Sequence, residues 1–339
     1  MHTAEGRRGR LVILILAAVL LGLFLLSFWL GRYDVPPAEV IRILLAQLFP
    51  VTPTWTEQME VAVVNIRLPR ILLACMVGGC LATAGTAYQS VFRNPMAAPD
   101  ILGASSGACF GAALAILLGF ARSGVTALAF ASSLLSVVLV YAVSRRAKGS
   151  RVMTILLSGV MIGSLFSACT SYVKLVADPS NQLPAITYWL MGSLSGARLK
   201  DVAFAAVPML IGLVPLYILR WRMNLLTFSE EEALSMGVHT GRLRLAVILS
   251  ATVLTAVSVA VSGMIGWVGL VIPHLSRKLV GNNCRYLLPA STLFGAIFLL
   301  LVDNVSRNLL AVEIPIGILT AFVGAPFFLY LMTRKEPLL

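Results

Sequence analysis

Charged residues are scarce in this sequence. Asp, Glu, Lys and Arg make up 12% of its 339 residues, whereas hydrophobic residues make up 59% and the mean hydropathy is +0.92. Charged residues account for about 25% of an average soluble domain. This composition excludes an ordinary soluble domain and indicates an integral membrane protein.

Cysteines and lysines are also few, and their positions exclude three features. The five cysteines lie in or beside apolar segments and lack the paired spacing of a disulfide framework or a metal cage. No glycine precedes any of the five lysines, so the P-loop motif that binds ATP phosphates is absent. If ATP drives this protein, another subunit must bind it.

Carboxylates are absent from the middle of the apolar segments. Asp100, Asp303 and Glu313 fall at segment ends. Because a proton relay needs ionisable groups at membrane depth, this argues against a proton-coupled secondary carrier, which is kept as the alternative without ATP. The net charge of +12 comes from basic residues without the stripe and interleaved aromatics of a nucleic-acid surface, so no nucleic-acid partner is predicted.

Apolar segments that are long enough to cross a bilayer core of about 30 Å recur along the chain. They cover about 11–30, 71–92, 101–121, 123–144, 152–173, 202–219, 245–262, 286–302 and 314–333. The run from 245 to 276 is too long for one helix, and Ser262 and Gly263 separate a shorter helix at 264–276. The sequence therefore predicts an all-α polytopic membrane protein with about ten transmembrane helices.

Basic residues are unevenly distributed between the two sides of these spans. With the N terminus in the cytoplasm, 17 of the 26 Lys and Arg residues lie on the cytoplasmic side, as the positive-inside bias requires. This predicts a multi-pass protein of the cell (plasma or inner) membrane with both termini in the cytoplasm. Two further segments are predicted as an amphipathic surface helix (35–49) and an outer half-helix (183–197). Glycines at four-residue spacing predict closely packed helices.

The stretch GASSG (103–107) matches the G-x-S-x-G elbow of serine hydrolases. That motif needs a strand-to-helix turn with a histidine and an acid nearby, whereas here it opens an apolar helix. We interpret these glycines and serines as packing residues. An intramembrane hydrolase and a structural membrane scaffold remain as alternatives.

Two polar features each have two interpretations. Arg67, Arg70 and Arg307 would cluster on the outer face if helices 71–92 and 286–302 pack together, and they would either snorkel to the interface or dock acidic side chains of an external partner. The loop 220–244 contains a predicted short helix, with Ser229 as its N-cap and Gly237 near its C-cap. That helix is either solvated or inserted into a groove of a partner.

Several motifs in the same order, from the second predicted helix to the C terminus, resemble the FecCD-type permease subunit of iron-siderophore, heme and cobalamin ABC importers. They are RLPR (67–70), GTAYQSVFRNPMAAPDILGASSGA (85–108), YWLMGSLSG (188–196), EEALSMGV (231–238), SGMIGWVGLVIPHLSR (262–277) and EIPIGILTAFVGAPFFLYL (313–331).

The resemblance implies a type II ABC importer permease fold. Residues 1–339 would form a single transmembrane permease domain, with a coupling helix in the cytoplasmic loop 220–244. The implied partners are a second copy of the chain, two ATPase subunits, an external substrate-binding protein and the lipid bilayer. ATP and Mg²⁺ would bind to the ATPase subunits, so this chain would be a transport subunit without a cofactor of its own and not an enzyme.

The resemblance also implies roles for individual residues. A cytoplasmic gate would comprise Asn94, Pro95 and Met96, with Met96 where the family more often has leucine. Docking of the binding protein would involve Arg67, Arg70 and Arg307. Coupling to the ATPase would involve Glu231, Ala233, Leu234, Gly237 and Val238. The pathway lining would include Ser167, Thr170, Ser171 and Ser193.

The implied cargo is a metal chelate, and frequency within the family favours an iron-siderophore. A heme or cobalamin importer of the same family and an ion-coupled secondary transporter are the alternatives.

Overall fold

The computed structural model describes residues 2–50, 52–147, 151–228 and 230–333, and these form helices joined by short connections. The helices are α1 (His2–Trp29), α2 (Pro37–Ala46), α3 (Glu57–Glu60), α4 (Leu68–Phe92), α5 (Ala104–Leu117), α6 (Arg122–Arg146), α7 (Arg151–Val176), α8 (Gln182–Leu190), α9 (Leu199–Leu219), α10 (Glu230–Ser235), α11 (Thr240–Ser262), α12 (Val268–Val280), α13 (Cys284–Asn308) and α14 (Ile316–Thr333). A π-helical segment, Val61–Arg67, joins α3 to α4, and 3-10 segments lie at Pro99–Leu102 and Arg222–Thr227.

Each of the ten predicted spans coincides with a helix, so the all-α prediction is confirmed. Within the described ranges, seven helical stretches are long and apolar enough to cross a membrane, and helices α5, α12 and α14 are shorter. The predicted break is also confirmed, because α11 ends at Ser262 and Gly263 adopts a left-handed backbone with φ +70°. Both surface segments are helical, as α2 and α8.

The centre of the bundle is built on α4, which packs against α13, α11, α12 and α9. Glycines allow these backbones to approach each other. A Cβ atom built on Gly78 of α4 would lie 2.3 Å from the Gly295 carbonyl oxygen of α13, and one on Gly85 would lie 1.9 Å from the Gly269 carbonyl oxygen of α12. Close backbone approach drives helix association in lipid, where apolar burial alone offers little gain.

The Gly85→Ala substitution is expected to destabilise the bundle strongly. The added methyl group would overlap backbone atoms of α12, which cannot move aside as a flexible side chain can. Overpacking of this kind costs about 1–3 kcal/mol or more. Thermal unfolding of the detergent-solubilised chain, followed by size-exclusion chromatography, would measure the loss.

Gly22→Ala is the matched control for this substitution. Gly22 lies in α1 with nothing within 4 Å of its built Cβ atom, so the same methyl group should leave the unfolding temperature unchanged or slightly raised. Equal unfolding temperatures for the two variants would contradict the proposed contact between α4 and α12.

Candidate functional site

The segment after α4 forms a non-helical elbow, defined here as residues 93–98. Helix α4 ends where Arg93 adopts a left-handed conformation with φ 49°. The Asn94 side-chain oxygen then accepts a hydrogen bond from the Met96 backbone N–H at 2.8 Å, and the Ala97 backbone N–H donates to the Asn94 carbonyl oxygen at 3.0 Å. An Asx turn of this kind holds a short loop in a defined shape without helical hydrogen bonds.

The tip of the elbow is exposed, and Ala97 behind the tip is buried. Asn94 and Met96 are exposed, with Met96 at 40%, and Pro95 is half-buried. Ala97 is buried at 1%. Polar backbone at membrane depth is tolerated only inside protein or beside a water-filled cavity. The residues predicted to form a gate therefore lie together at one tip, and their role as a gate stays a prediction.

The base of the elbow is fixed by side chains. The Arg93 guanidinium donates from Nε to the Leu226 carbonyl oxygen at 2.5 Å and from Nη2 to the Phe228 carbonyl oxygen. In the last turn of α4, the Gln89 side-chain oxygen accepts a hydrogen bond from Arg277 of α12. The elbow is thus joined to the connection after α9, and the last turn of α4, directly before the elbow, is joined to α12.

Arginines and acids form a cluster at the opposite end of α4. The Arg70 guanidinium contacts Asp303 through Nε at 2.8 Å and Glu313 through Nη1 at 2.8 Å. The Arg307 Nε lies 3.8 Å from the second Asp303 carboxylate oxygen. The Arg70 and Asp303 side chains are 6% and 0% exposed. The predicted clustering of arginines is confirmed, because α4 and α13 pack together.

Burial of these arginines corrects one part of the prediction. Arg67, Arg70 and Arg307 are only 4%, 5% and 7% exposed, so none of them snorkels to the interface. Arg67 donates to the carbonyl oxygens of Phe28 and Tyr33. As they lie in the structure, the three guanidinium groups bind within the chain and tie together the ends of α1, α4 and α13. A docking role for them stays a prediction.

The sequence contains a pattern that indicates the pairing of charges in this cluster. Asp303 and Arg70 both occur at span ends on the same predicted side of the membrane. A buried charge near lipid must find a partner, so opposite charges at equal depth are candidates for pairing. Arg93 has no predicted role, although this basic residue directly precedes the Asn-Pro pair of the motif.

The four residues predicted to line a pathway do not share one surface. Ser167 and Ser171 are exposed on one face of α7, where the Ser171 hydroxyl donates to the Ser167 carbonyl oxygen at 3.0 Å. Thr170 is 8% exposed and donates to the Phe166 carbonyl oxygen at 2.9 Å, so its predicted lining role is corrected. Ser193 is half-buried in the turn after α8.

The short helix predicted in the loop 220–244 is present as α10. It ends at Ser235, and Gly237, two residues later, adopts φ +77° and donates its backbone N–H to the Leu234 carbonyl oxygen at 2.9 Å. Leu234 and Met236 are 53% and 49% exposed, and Glu231 is exposed as well. The predicted N-cap Ser229 lies outside the described residues.

One of the residues predicted to couple to the ATPase is buried within this chain. Ala233 is fully buried against the bundle, and Val238 is half-buried and packs on the core. They attach α10 to the rest of the chain. The exposed face, made of Glu231, Leu234 and Gly237, is the part that a partner could reach.

Comparison with known proteins places this arrangement in a family. The FecCD transport family matches residues 17–334. The molybdate import system permease protein MolB of Haemophilus influenzae is 41% identical over 324 residues, covering 94% of this chain and 93% of that protein. The Fe(3+)-citrate import system permease protein YfmE of Bacillus subtilis is 39% identical over 342 residues, covering 98% and 99%.

A solved structure has the same fold. It is described as an inward-facing conformation of an ABC transporter assigned to the metal-chelate type, and it is 38% identical to this chain. The two superpose with a TM-score of 0.84 over 96% of this chain and 99% of that one. Because sequence and fold agree along nearly the whole length, this chain belongs to the FecCD transport family of membrane-spanning ABC importer permeases.

Proposed function

We propose that this chain forms the membrane pathway of an ABC importer for a metal chelate, with a ferric siderophore as its preferred cargo. The full-length similarity to a transporter of the metal-chelate type carries this proposal. The similarity to an iron-citrate permease favours iron. The comparable similarity to MolB makes molybdate the second candidate cargo.

The proposed complex contains two copies of this chain, two ATPase subunits and an external binding protein. The sequence has no P-loop, so ATP and Mg²⁺ would bind to the ATPase subunits. The exposed leucine and methionine of α10, Leu234 and Met236, suit an apolar groove on such a subunit. The complex would lie in the cell membrane with both termini of this chain in the cytoplasm.

In this mechanism the chain makes and breaks no covalent bond. The exposed tip of the elbow, with Asn94 and Met96, would close the inner end of the pathway, and Met96 supplies a flexible apolar constriction. Nucleotide and binding protein would favour different conformations of the dimer, because only a partner with unequal affinity for two states can shift their populations.

The buried arginine cluster would support the docking of the binding protein from beneath. Glu313 is 29% exposed at its side chain, and it joins the cluster to the outer surface. A docked protein would thus contact α4 and α13 at the ends where ion pairs join these two helices, and not at mobile side chains.

Uptake into proteoliposomes tests the proposed function. Liposomes that contain the purified complex, with binding protein outside and ATP inside, would receive ferric siderophore, heme, cobalamin or molybdate in parallel. We expect accumulation of the ferric siderophore that stops when a non-hydrolysable ATP analogue replaces ATP.

The other outcomes each have a defined meaning. Accumulation of molybdate alone would support the second candidate and overturn the choice of iron. Uptake driven by an ion gradient without ATP would overturn the proposal of an ABC importer and support the alternative of a secondary carrier.

A further inference from the structure

We propose that Arg93 is a positioning residue that transmits movement of α10 to the elbow. This inference rests on the proposed function, because it assigns α10 to the ATPase contact and the elbow to the gate. It concerns a side chain for which neither the motif nor the family match gives a role.

The first support is a direct connection between the two elements. The Arg93 guanidinium donates to the carbonyl oxygens of Leu226 and Phe228. Leu226 is fully buried, and Phe228 lies two residues before Glu230, where α10 begins. Arg93 itself directly precedes Asn94 at the elbow tip. One side chain therefore spans from the entrance of α10 to the gate residues.

The second support is the backbone of Arg93. Its φ of 49° lies in the left-handed region, which glycine adopts without strain and arginine does not. Such strain persists where surrounding contacts hold the residue in place, and here the two hydrogen bonds of the guanidinium do so. A guanidinium reaches two carbonyl oxygens at once, whereas a lysine ammonium is a single point of charge.

The third support is the way in which the segment Arg222–Thr227 is held. At its other side, Asn224 bonds to Asn283 at 3.0 Å and accepts from the Cys284 backbone N–H at 2.8 Å, at the start of α13. The segment is thus fixed to α13 through Asn224 and to the elbow through Arg93. The end that leads into α10 is the end that Arg93 holds, so displacement of α10 acts on the elbow first.

The positive charge of Arg93 favours this link, and water screens part of that charge because the side chain is exposed. Hydrogen bonds from an ionised donor are about twice as strong as neutral ones. The carbonyl oxygens at the end of a helical segment carry partial negative charge and lack partners within that segment. Arg93 donates to one carbonyl oxygen in this segment, that of Leu226, and to that of Phe228 directly after it, so its side chain joins the segment to the elbow.

Three substitutions of Arg93 distinguish the effect of its side-chain hydrogen bonds from the effect of its left-handed backbone. Arg93→Met removes the donors and keeps the bulk, Arg93→Gly removes the link and relieves the backbone, and Arg93→Lys keeps the charge without the fork. The control is Arg222→Met, which removes an exposed arginine from the same 3-10 segment. Each complex would be reconstituted with ATPase and binding protein, after its unfolding temperature had been measured.

The readout is the amount of cargo imported per ATP hydrolysed. We expect Arg93→Met and Arg93→Gly to hydrolyse ATP while this ratio falls by about tenfold, within the usual range of coupling between sites. Arg93→Lys should lie between them and the wild type, and Arg222→Met should match the wild type. A maleimide-reactive cysteine introduced at Met96 should lose its nucleotide-dependent change in reactivity in the Arg93→Met background.

The results that would overturn the inference are distinct from those that overturn the proposed function. A normal ratio in Arg93→Gly would show that position 93 needs only a turn-forming residue. A ratio that falls equally in Arg222→Met would show a general effect of charge. A wild-type complex that imports no cargo with ATP would instead overturn the proposed function, and this inference with it.

Discussion

Asp303→Asn is expected to cause a large loss of stability. The change keeps the shape of the side chain and removes its charge. Arg70 and Arg307 would then remain in a buried site where, among the described residues, Glu313 is the counter-charge that is left. Removing one partner of a buried ion pair costs about 3–5 kcal/mol, because the remaining charge stays uncompensated.

Such a cost is a large part of the whole stability of a protein, which is about 5–15 kcal/mol. We expect little folded protein after extraction in detergent, and a clearly lower unfolding temperature for what remains. The double substitution Arg70→Met with Asp303→Leu should recover part of the loss, because apolar replacement of a buried pair is often neutral.

A surface ion pair provides the matched control. Glu39 and Arg42 lie 3.0 Å apart on α2, and the Arg42 side chain is 50% exposed. Exposed pairs contribute at most about 1 kcal/mol, so Glu39→Gln should hardly change the unfolding temperature. Equal effects of Glu39→Gln and Asp303→Asn would show that the cluster does not hold the bundle together.

Met96→Cys is expected to give efficient cross-linking between two copies of this chain. If the elbow tips of two subunits meet at the axis of a dimer, cysteines at this position face each other across the pathway. A flexible bismaleimide should then produce a covalent dimer in nearly all molecules. Ligand binding or nucleotide should change the yield, because a gate changes the separation of its two halves.

Thr227→Cys is the control for chance collisions in this experiment. Thr227 is exposed in the 3-10 segment near the same end of the bundle. The native cysteines are buried or half-buried, so the unmodified chain provides a blank. A monomer at Met96→Cys, or equal dimer yields at both positions, would place the elbow away from the twofold axis and overturn its role as a gate.

The positions of the helices could be predicted from the sequence because the residues that begin and end helices act locally. Pro37 starts α2, and Gly263 ends α11, through backbone properties that belong to single residues. The half-helix α8 follows from a stretch that is apolar yet too short to cross a bilayer. The close packing of the bundle was likewise evident from the spacing of its glycines.

The faces of the helices were not readable, and the reason is physical. In water, one apolar stripe marks the buried side of a helix, but in a membrane both lipid and protein interior are apolar. Ser171 and Thr170 are neighbours of similar polarity, yet one is exposed and the other buried. The burial of Ala233 on α10 could not be predicted for a related reason, because a helix of six residues is too short to show an apolar stripe.

The ion pair between Arg70 and Asp303 could not be predicted from the sequence either. Arg70 and Asp303 are 233 positions apart, and no local rule connects them. Their contact depends on the packing of α4 against α13, which is a property of the folded bundle.

Helix α4 carries the ion-pair cluster near one end and the elbow at the other. Its 25 residues form an unbroken rod about 37 Å long. A tilt of about 5° around one end of such a rod moves the other end by about 3 Å, which is about twice the length of a Cα–C bond. In the proposed complex, a binding protein that tilts α4 at the ion-pair cluster would therefore move the elbow directly, without a relay of small rearrangements along the helix.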